Sequence, residues 1–291
     1  MNLWNSVIWR YEYYSKRAAK VCSNTWSYWR WHISEETLYK SLKSLVCDTM
    51  PQILMVHASL NRCGWIRGGK NQIFHTLKQF SQTLCMPTHT YCYPTTSEEA
   101  GPVFEVNSTP SVVGQLTDFF WRIDGVVRSL HPTHSLASVG AMADYICRGH
   151  ELCDTPCGTG TPYEKLILNN AAVLMFGTTL KYYTLFYYSE HQAGIPFLYF
   201  PRPIKLRAKD KQGRIHSIIM KRQNVFITRR FFEMDKILEK EGLLKRCTLG
   251  RGELLFIPSS KQVHEFLVEK ISHDPCYLIT PEAKFSLQNV K

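Results

Sequence analysis

Apolar residues recur every three or four positions from Glu35 to Leu45, then give way to the unbroken apolar run Ile53 to Val56. This exchange of a helical for a strand pattern repeats down the chain. It predicts helices over Asn71 to Phe80, Val112 to Trp121, Ala141 to Arg148, Tyr163 to Leu168 and Thr179 to Glu190, the last rich in tyrosine. It predicts strands at Leu84 to Met86, Leu136 to Val139 and Ala172 to Phe176. Alternation of this kind argues for α/β layering. Past a soft boundary near Pro201 to Pro203 the character changes. Ile204 to Arg207 and Arg214 to Met220, joined by Lys-Asp-Lys-Gln-Gly, read as a β-hairpin. A helix at Phe232 to Lys240, strands around Cys247 and Leu254 and a helix at Val263 to Ile271 complete a smaller α+β part.

Residues 1–33 stand apart as an extension to the domain at 34–291, with Trp4, Trp9, Trp26, Trp29 and Trp31 set among Arg10, Lys16, Arg17, Lys20 and Arg30. Packing on the body or on a second subunit is the favoured reading, and contact with a membrane surface stays open. The chain is expected to be cytoplasmic, because it has no apolar stretch of spanning length and no signal-peptide pattern. Ten cysteines at irregular spacing point to reduced thiols. Cys153 and Cys157 have no second ligand pair to answer them, so no metal is expected. Thirty-five Lys and Arg against 24 Asp and Glu leave a net charge of +11. That excess draws in anionic partners, but no nucleic-acid recognition motif accompanies it.

Polar clusters at strand ends carry the candidate chemistry, since open α/β sheets place ligand sites there. His57-Ala58-Ser59-Leu60 follows an apolar strand and leads to Gly68 and Gly69 ahead of a helix. Backbone N–H groups at such a joint can face an anion or a carbonyl oxygen. Met86-Pro87-Thr88-His89-Thr90 ends the next strand, and Arg128-Ser129-Leu130-His131-Pro132-Thr133-His134-Ser135 sets two histidines, each able to take a proton at neutral pH, among hydroxyls. Tyr187, Glu190 and His191 are three and four residues apart, a spacing that shares one helical face. Each cluster taken alone reads more readily as turn chemistry or core packing. Together they point to a convergent polar site.

The segments VHASLNRCGWIRGG, LCMPTHTY, STPSVVGQLTDFFWRIDGVVRSLHPTHSLASVG, CGTGTPYEKL, AAVLMFGTT and FYYSEHQAGIP resemble, in wording and order, the aminoglycoside 3-N-acetyltransferase family from about Leu38 to Phe200. The resemblance implies an antibiotic N-acetyltransferase-type α/β fold, a central mixed sheet flanked by helices and distinct from the GNAT acetyltransferases. It also implies direct transfer from acetyl-CoA to an amine. By the same resemblance His57, Ser59, Leu60, Gly68, Gly69, Pro87, Thr88, His89, Thr90 and Ser129 lie on the acetyl-CoA side.

Two departures shape the expected acceptor. Where the family's resistance enzymes hold a histidine taken as general base, this chain has Tyr187, whose unperturbed pKa near 10 is too high for the task. The expected base is therefore His134, then His131, with Glu190 and His191 orienting and Tyr187 hydrogen-bonding the sugar. Those enzymes also carry acidic residues after the hairpin, whereas residues 211–232 contain no Asp or Glu. The basic Arg214, Lys221, Arg222, Arg229 and Arg230 stand there instead. They are expected to grip the diphosphate of a nucleotide-linked amino sugar (dTDP- or UDP-linked) used for lipopolysaccharide, O-antigen or capsule assembly, in a monomer or homodimer. An antibiotic-modifying enzyme is the second reading, and a non-catalytic scaffold the third.

Overall fold

Ile53–Val56 and Ala172–Phe176 are apolar at every position, so both faces of such strands must be covered, which places them inside a sheet. The computed structural model, which describes residues 32–46, 50–94 and 101–289, has them there. In chain order the elements are β1 (His32–Ile33), α1 (Glu35–Val46), β2 (Ile53–Ala58), α2 (Leu60–Cys63), β3 (Trp65–Ile66), α3 (Gly69–Lys78), β4 (Thr83–Pro87), β5 (Val103–Glu105), α4 (Gln115–Phe120), β6 (Val127–Arg128) and β7 (Leu136–Gly140). They continue as α5 (Ala143–Cys147), α6 (Pro162–Leu168), β8 (Ala172–Phe176), α7 (Leu185–Gln192), β9 (Ile204–Lys209), β10 (Ile215–Met220), α8 (Met234–Lys240), β11 (Lys245–Leu249), β12 (Gly252–Ile257), α9 (Ser260–His273) and α10 (Pro281–Asn289).

The main sheet runs β11-β12-β8-β2-β4-β7-β6, with β2 parallel to both β4 and β8 and the remaining pairs antiparallel. It is the mixed sheet expected. Because side chains alternate along a strand, Met55, Val173 and Met175 pack with Leu166, Phe186 and Leu267 of α6, α7 and α9 on one face. Leu54, Val56 and Leu174 pack with Leu42, Leu77 and Phe120 of α1, α3 and α4 on the other. Local chemistry starts the helices where it should. Thr161, ahead of Pro162, accepts the Glu164 N–H at 3.4 Å, and Ser259 accepts that of Gln262 at 3.1 Å. β12 comes from beyond Pro203, yet it pairs with β8.

Three expectations change. The helix expected from Val112 begins at Gln115, because Gly114 at φ +142° passes so close to the end of β2 that a Cβ would lie 3.3 Å from the Ala58 carbonyl oxygen. The helix expected over Thr179 to Glu190 is a short 3₁₀ turn at Leu180–Tyr182 followed by α7. Asp235, from α8, accepts the Leu180 N–H at 2.8 Å and pins that turn. The hairpin β9–β10 is not alone either, since β5 adds to it in parallel and makes a second sheet. The expected behaviour of residues 1–31 lies outside the described residues. Among those described, no helix is long and apolar enough to cross a membrane, and no group of three or more His, Cys, Asp or Glu is placed to hold a metal.

Gly140 closes β7 opposite Thr83 at φ +120°, and a Cβ there would meet the Gln82 carbonyl oxygen and lie 2.8 Å from Thr83 Cα. Backbone on both sides leaves nothing soft to yield. Gly140→Ala is expected to cost about 3 kcal/mol, combining strain and overpacking, read as a lower urea midpoint. An unchanged midpoint would mean that the β4–β7 end is free to open.

Candidate active site

The carboxyl ends of the three parallel strands bring His57 and Ala58 of β2, Pro87 of β4 and Thr178 after β8 to one cleft of about 620 Å³. Its inner surface carries His57, His89 and His134, and its walls include the phenols of Tyr91, Tyr93, Tyr182, Tyr183 and Tyr187. Arg62, Lys181 and Arg222 are its cations, and no described Asp or Glu lines it.

A shell of buried polar groups holds the histidines. His89 Nδ1 lies 3.1 Å from the Tyr91 hydroxyl and Nε2 lies 2.8 Å from that of Tyr163. The Tyr163 hydroxyl in turn donates to the His134 carbonyl at 2.9 Å. His134 Nδ1 is 2.8 Å from Thr133 Oγ1, and its ring centroid is 4.6 Å from that of His89. His57 Nε2 is buried without a partner. Burial pushes His57 and His134 down to about 3. Burial, reinforced by the neighbouring histidines, holds His89 well below the usual range. All three are neutral at pH 7 and keep a lone pair.

The sequence-derived candidates divide into those that line the cleft and those that stand behind it. His57, Ser59, Leu60, Pro87, His89, His134 and Tyr187 line it. Thr88, Thr90, Ser129 and His131 are buried outside the lining. Thr88 and Ser135 bind the Arg128 guanidinium, and Ser129 holds His150 at 2.9 Å. His131 stacks on His150 at 4.2 Å, its Nδ1 accepts two backbone N–H groups and its Nε2 is sealed without a partner, so it cannot reach an acceptor amine. Gly68 and Gly69, both at positive φ, start α3 away from the cleft.

Tyr187, Glu190 and His191 do not share one pocket. Three- and four-residue steps land on opposite sides of the Tyr187 direction, and only Tyr187 faces the cleft. Burial raises its phenol to about 12. Glu190 is fully buried and takes Arg229 Nε at 2.8 and 2.9 Å, while Arg229 Nη1 donates to the Asn224 and Ile227 carbonyls at 3.0 Å each. His191 turns to Tyr199 at 3.0 Å and Thr159 at 3.2 Å.

Nor do the basic residues form a phosphate grip. Arg214 pairs with Asp210 at 2.9 Å, Lys221 with Asp154 at 2.9 Å, Arg229 with Glu190 and Arg230 with Glu233 at 2.7 Å. Arg222 alone of the five lines the cleft, its guanidinium 4.9 Å from the Tyr93 ring centroid. Sequence reasoning missed Tyr91, Tyr93, Tyr183, Lys181 and Gln223. The alternation Tyr91-Cys92-Tyr93 just past the polar strand end was the available signal.

The sequence model of the aminoglycoside 3-N-acetyltransferase family matches residues 55–271. The SPbeta prophage-derived aminoglycoside N(3')-acetyltransferase-like protein YokD of Bacillus subtilis is 25% identical over 192 residues, 57% of this chain and 70% of the relative. Aminoglycoside N(3)-acetyltransferase III of Salmonella sp is 29% identical over 164 residues, 50% of this chain and 56% of the relative, so the chain spans little more than half of that protein. The solved structure of AAC-IIIb in binary complex with CoASH superposes with a TM-score of 0.71 at 21% identity, covering 83% of this chain and 97% of that one, which is a likeness of fold. These matches, and basic residues already paired with carboxylates, overturn the expected nucleotide-linked amino-sugar acceptor and its role in lipopolysaccharide and O-antigen assembly.

Two stability experiments follow from this geometry. Five buried histidines, 57, 89, 131, 134 and 150, have depressed values in the folded chain and titrate near 6.5 when unfolded. The unfolded state therefore binds more protons below 6.5, so stability is complete above that value and is lost as the pH falls toward 3. Between pH 6 and 5 the loss is on the order of 5 kcal/mol, enough to bring the urea midpoint close to zero. A midpoint constant over that interval would show the histidines to be solvated. Separately, Arg229→Leu strands the Glu190 carboxylate and is expected to cost about 3–5 kcal/mol, whereas the double change Arg229→Leu with Glu190→Leu costs less than either alone. Additive losses would sink that account.

Proposed function

Because the chain belongs to the aminoglycoside 3-N-acetyltransferase family, we propose that it moves the acetyl group of acetyl-CoA onto an amino group of an aminoglycoside-type acceptor. The observation that carries this reading is positional: the entire cleft lining, from His57 to Val225, falls within the matched span 55–271.

The residues present fit acetyl-CoA. One side of the lining is polar, with His57, Tyr183 and Gln223, each of which carries a buried side-chain atom without a partner, and a polar wall favours a polar ligand. Arg62 and Lys181 offer charge to its phosphates, and Ser59, Leu60 and Pro87 a wall for its pantetheine arm. When bound, acetyl-CoA supplies the acetyl group as an activated thioester. The amine lone pair forms the new C–N bond, the C–S bond breaks with its electron pair left on sulfur, and the proton lost from nitrogen ends on that sulfur. The cleft's own part is to hold the amine beside a neutral histidine and to place donors where the carbonyl oxygen gains charge. Tyr187, protonated throughout the physiological range, hydrogen-bonds the acceptor instead of taking its proton.

The test is thiol release from acetyl-CoA in the presence of kanamycin or gentamicin, with acetylated product identified by mass. Turnover that requires both the chain and the antibiotic is expected. Acetyl-CoA binding without any product would replace the enzyme reading with a scaffold that kept the fold.

A further inference from the structure

We propose that Thr133 fixes His134 as a hydrogen-bond donor to the reacting carbonyl, its ring proton on Nε2, and that His57 is the proton acceptor. The assignment rests on the acetyl-transfer reading for its chemistry and on hydrogen-bond accounting for its geometry. His131 Nδ1 already accepts the Thr133 N–H at 3.3 Å and the His134 N–H at 3.1 Å. Thr133 Oγ1 is 3.4 Å from that filled nitrogen and 2.8 Å from His134 Nδ1. The single hydroxyl proton is therefore assigned to His134 Nδ1, the shorter contact, which leaves that nitrogen the bare one of the ring. The ring's own proton then sits on Nε2, the nitrogen left for the cleft that His134 lines. Tyr93, also on the lining, hydrogen-bonds the same hydroxyl, so the order turns on whether Thr133 donates to Tyr93 or to His134, and the 2.8 Å contact favours His134.

The same accounting removes His89 from contention. Tyr163 spends its proton on the His134 carbonyl, so its oxygen accepts from His89 Nε2–H, and Tyr91 O–H fills His89 Nδ1. His89 has nothing left to give or take. His57 remains: it lines the cleft, its Nε2 is sealed, and no hydrogen bond engages its Nδ1, which is the nitrogen able to accept. A neutral imidazole can donate to a developing oxyanion without first being protonated, and burial keeps His134 neutral. As the amine nitrogen attacks, the carbonyl π pair moves onto oxygen, and the Nε2–H of His134 stabilises it. The proton leaving nitrogen passes to His57 and then to the CoA sulfur as the C–S bond breaks.

Long-range ¹H–¹⁵N spectra of histidine-labelled protein at pH 7 read the tautomer directly. His134 is expected to show a protonated Nε2 and a bare Nδ1. The reverse pattern overturns the proposal whatever the kinetics. Thr133→Val should mix the two forms and lower kcat by roughly 10- to 100-fold, the scale of one misplaced oxyanion donor, while KM for acetyl-CoA stays within about twofold. Thr133→Ser should restore both spectrum and rate. An altered His134 spectrum with unchanged kcat removes the donor role, and His57→Gln with an unaltered rate and pH profile removes the acceptor. If the wild-type spectrum is as expected but no acceptor is turned over, the acetyl-transfer reading has failed, and the tautomer assignment has not.

Discussion

Arg128 is the joint on which the site is hung. Its side chain is buried, and the carbonyls of Thr88 and Thr109 take its Nη2 and Nη1 at 2.9 and 2.6 Å. Its Nε reaches the Thr88 and Ser135 hydroxyls, and the rings of Trp121 and Phe104 lie 4.5 and 4.9 Å from it. One guanidinium thus ties the end of β4 to the start of β7, to the end of α4 and to β5 of the second sheet. Burial lowers it to about 9, so it stays charged at neutral pH. A planar group with five donors can satisfy carbonyls on several sides at once, which a lysine cannot. The loop from Ser129 to Ser135, with both of its histidines, takes its shape from that anchor.

Around this anchor the site is built from neutral polar groups. The cleft histidines are desolvated, the phenols are protonated, and the strongest ion pair nearby, Glu190 with Arg229, is turned away to fasten the 224–229 segment to α7. The described lining therefore presents hydroxyls, ring faces and the cations Arg62, Lys181 and Arg222, and no carboxylate. Tyr91 and Tyr93 stand parallel, 7° apart with centroids 6.4 Å from each other, and the Arg222 guanidinium already lies 4.9 Å from the Tyr93 centroid.

How much of this was legible follows from how local each determinant is. The central strands could be read because Leu54 to Val56 and Ala172 to Phe176 are apolar on both faces, and α1 because Leu38, Leu42 and Leu45 repeat at its own period. The strand ends gave away His57 and His89, since topology puts the carboxyl ends of parallel strands at one edge, and His134 joins them because antiparallel β7 starts where β4 ends. The 3₁₀ turn before α7 was hidden because the residue that fixes it, Asp235, lies 55 positions away. The basic stretch misled in part for the same reason: Lys221 and Arg229 are answered by Asp154 and Glu190 from other elements, while Arg214 and Arg230 pair with Asp210 and Glu233 just outside its two ends. A run of like charge predicts a patch only when no carboxylate answers it. β5, three residues long and paired with a strand about a hundred positions later, has no period to detect.

The distribution of unmet hydrogen bonds separates packing from function. An unsatisfied buried polar atom costs about 1–3 kcal/mol, and native folds remove nearly all of them. Here the shell behind the cleft is closely satisfied: Thr88, Ser129, Ser135, His150 and Tyr163 all have partners. Yet among the described residues three of the seven buried side-chain atoms lacking one belong to His57, Tyr183 and Gln223, residues of the cleft wall whose unpaired atoms are sealed behind its surface. Chance would scatter such atoms through the core. Their convergence means that the folded chain leaves free energy unrealised along this wall. The rigid shell and the unsatisfied lining are two halves of one arrangement, because groups free to move would find partners among themselves.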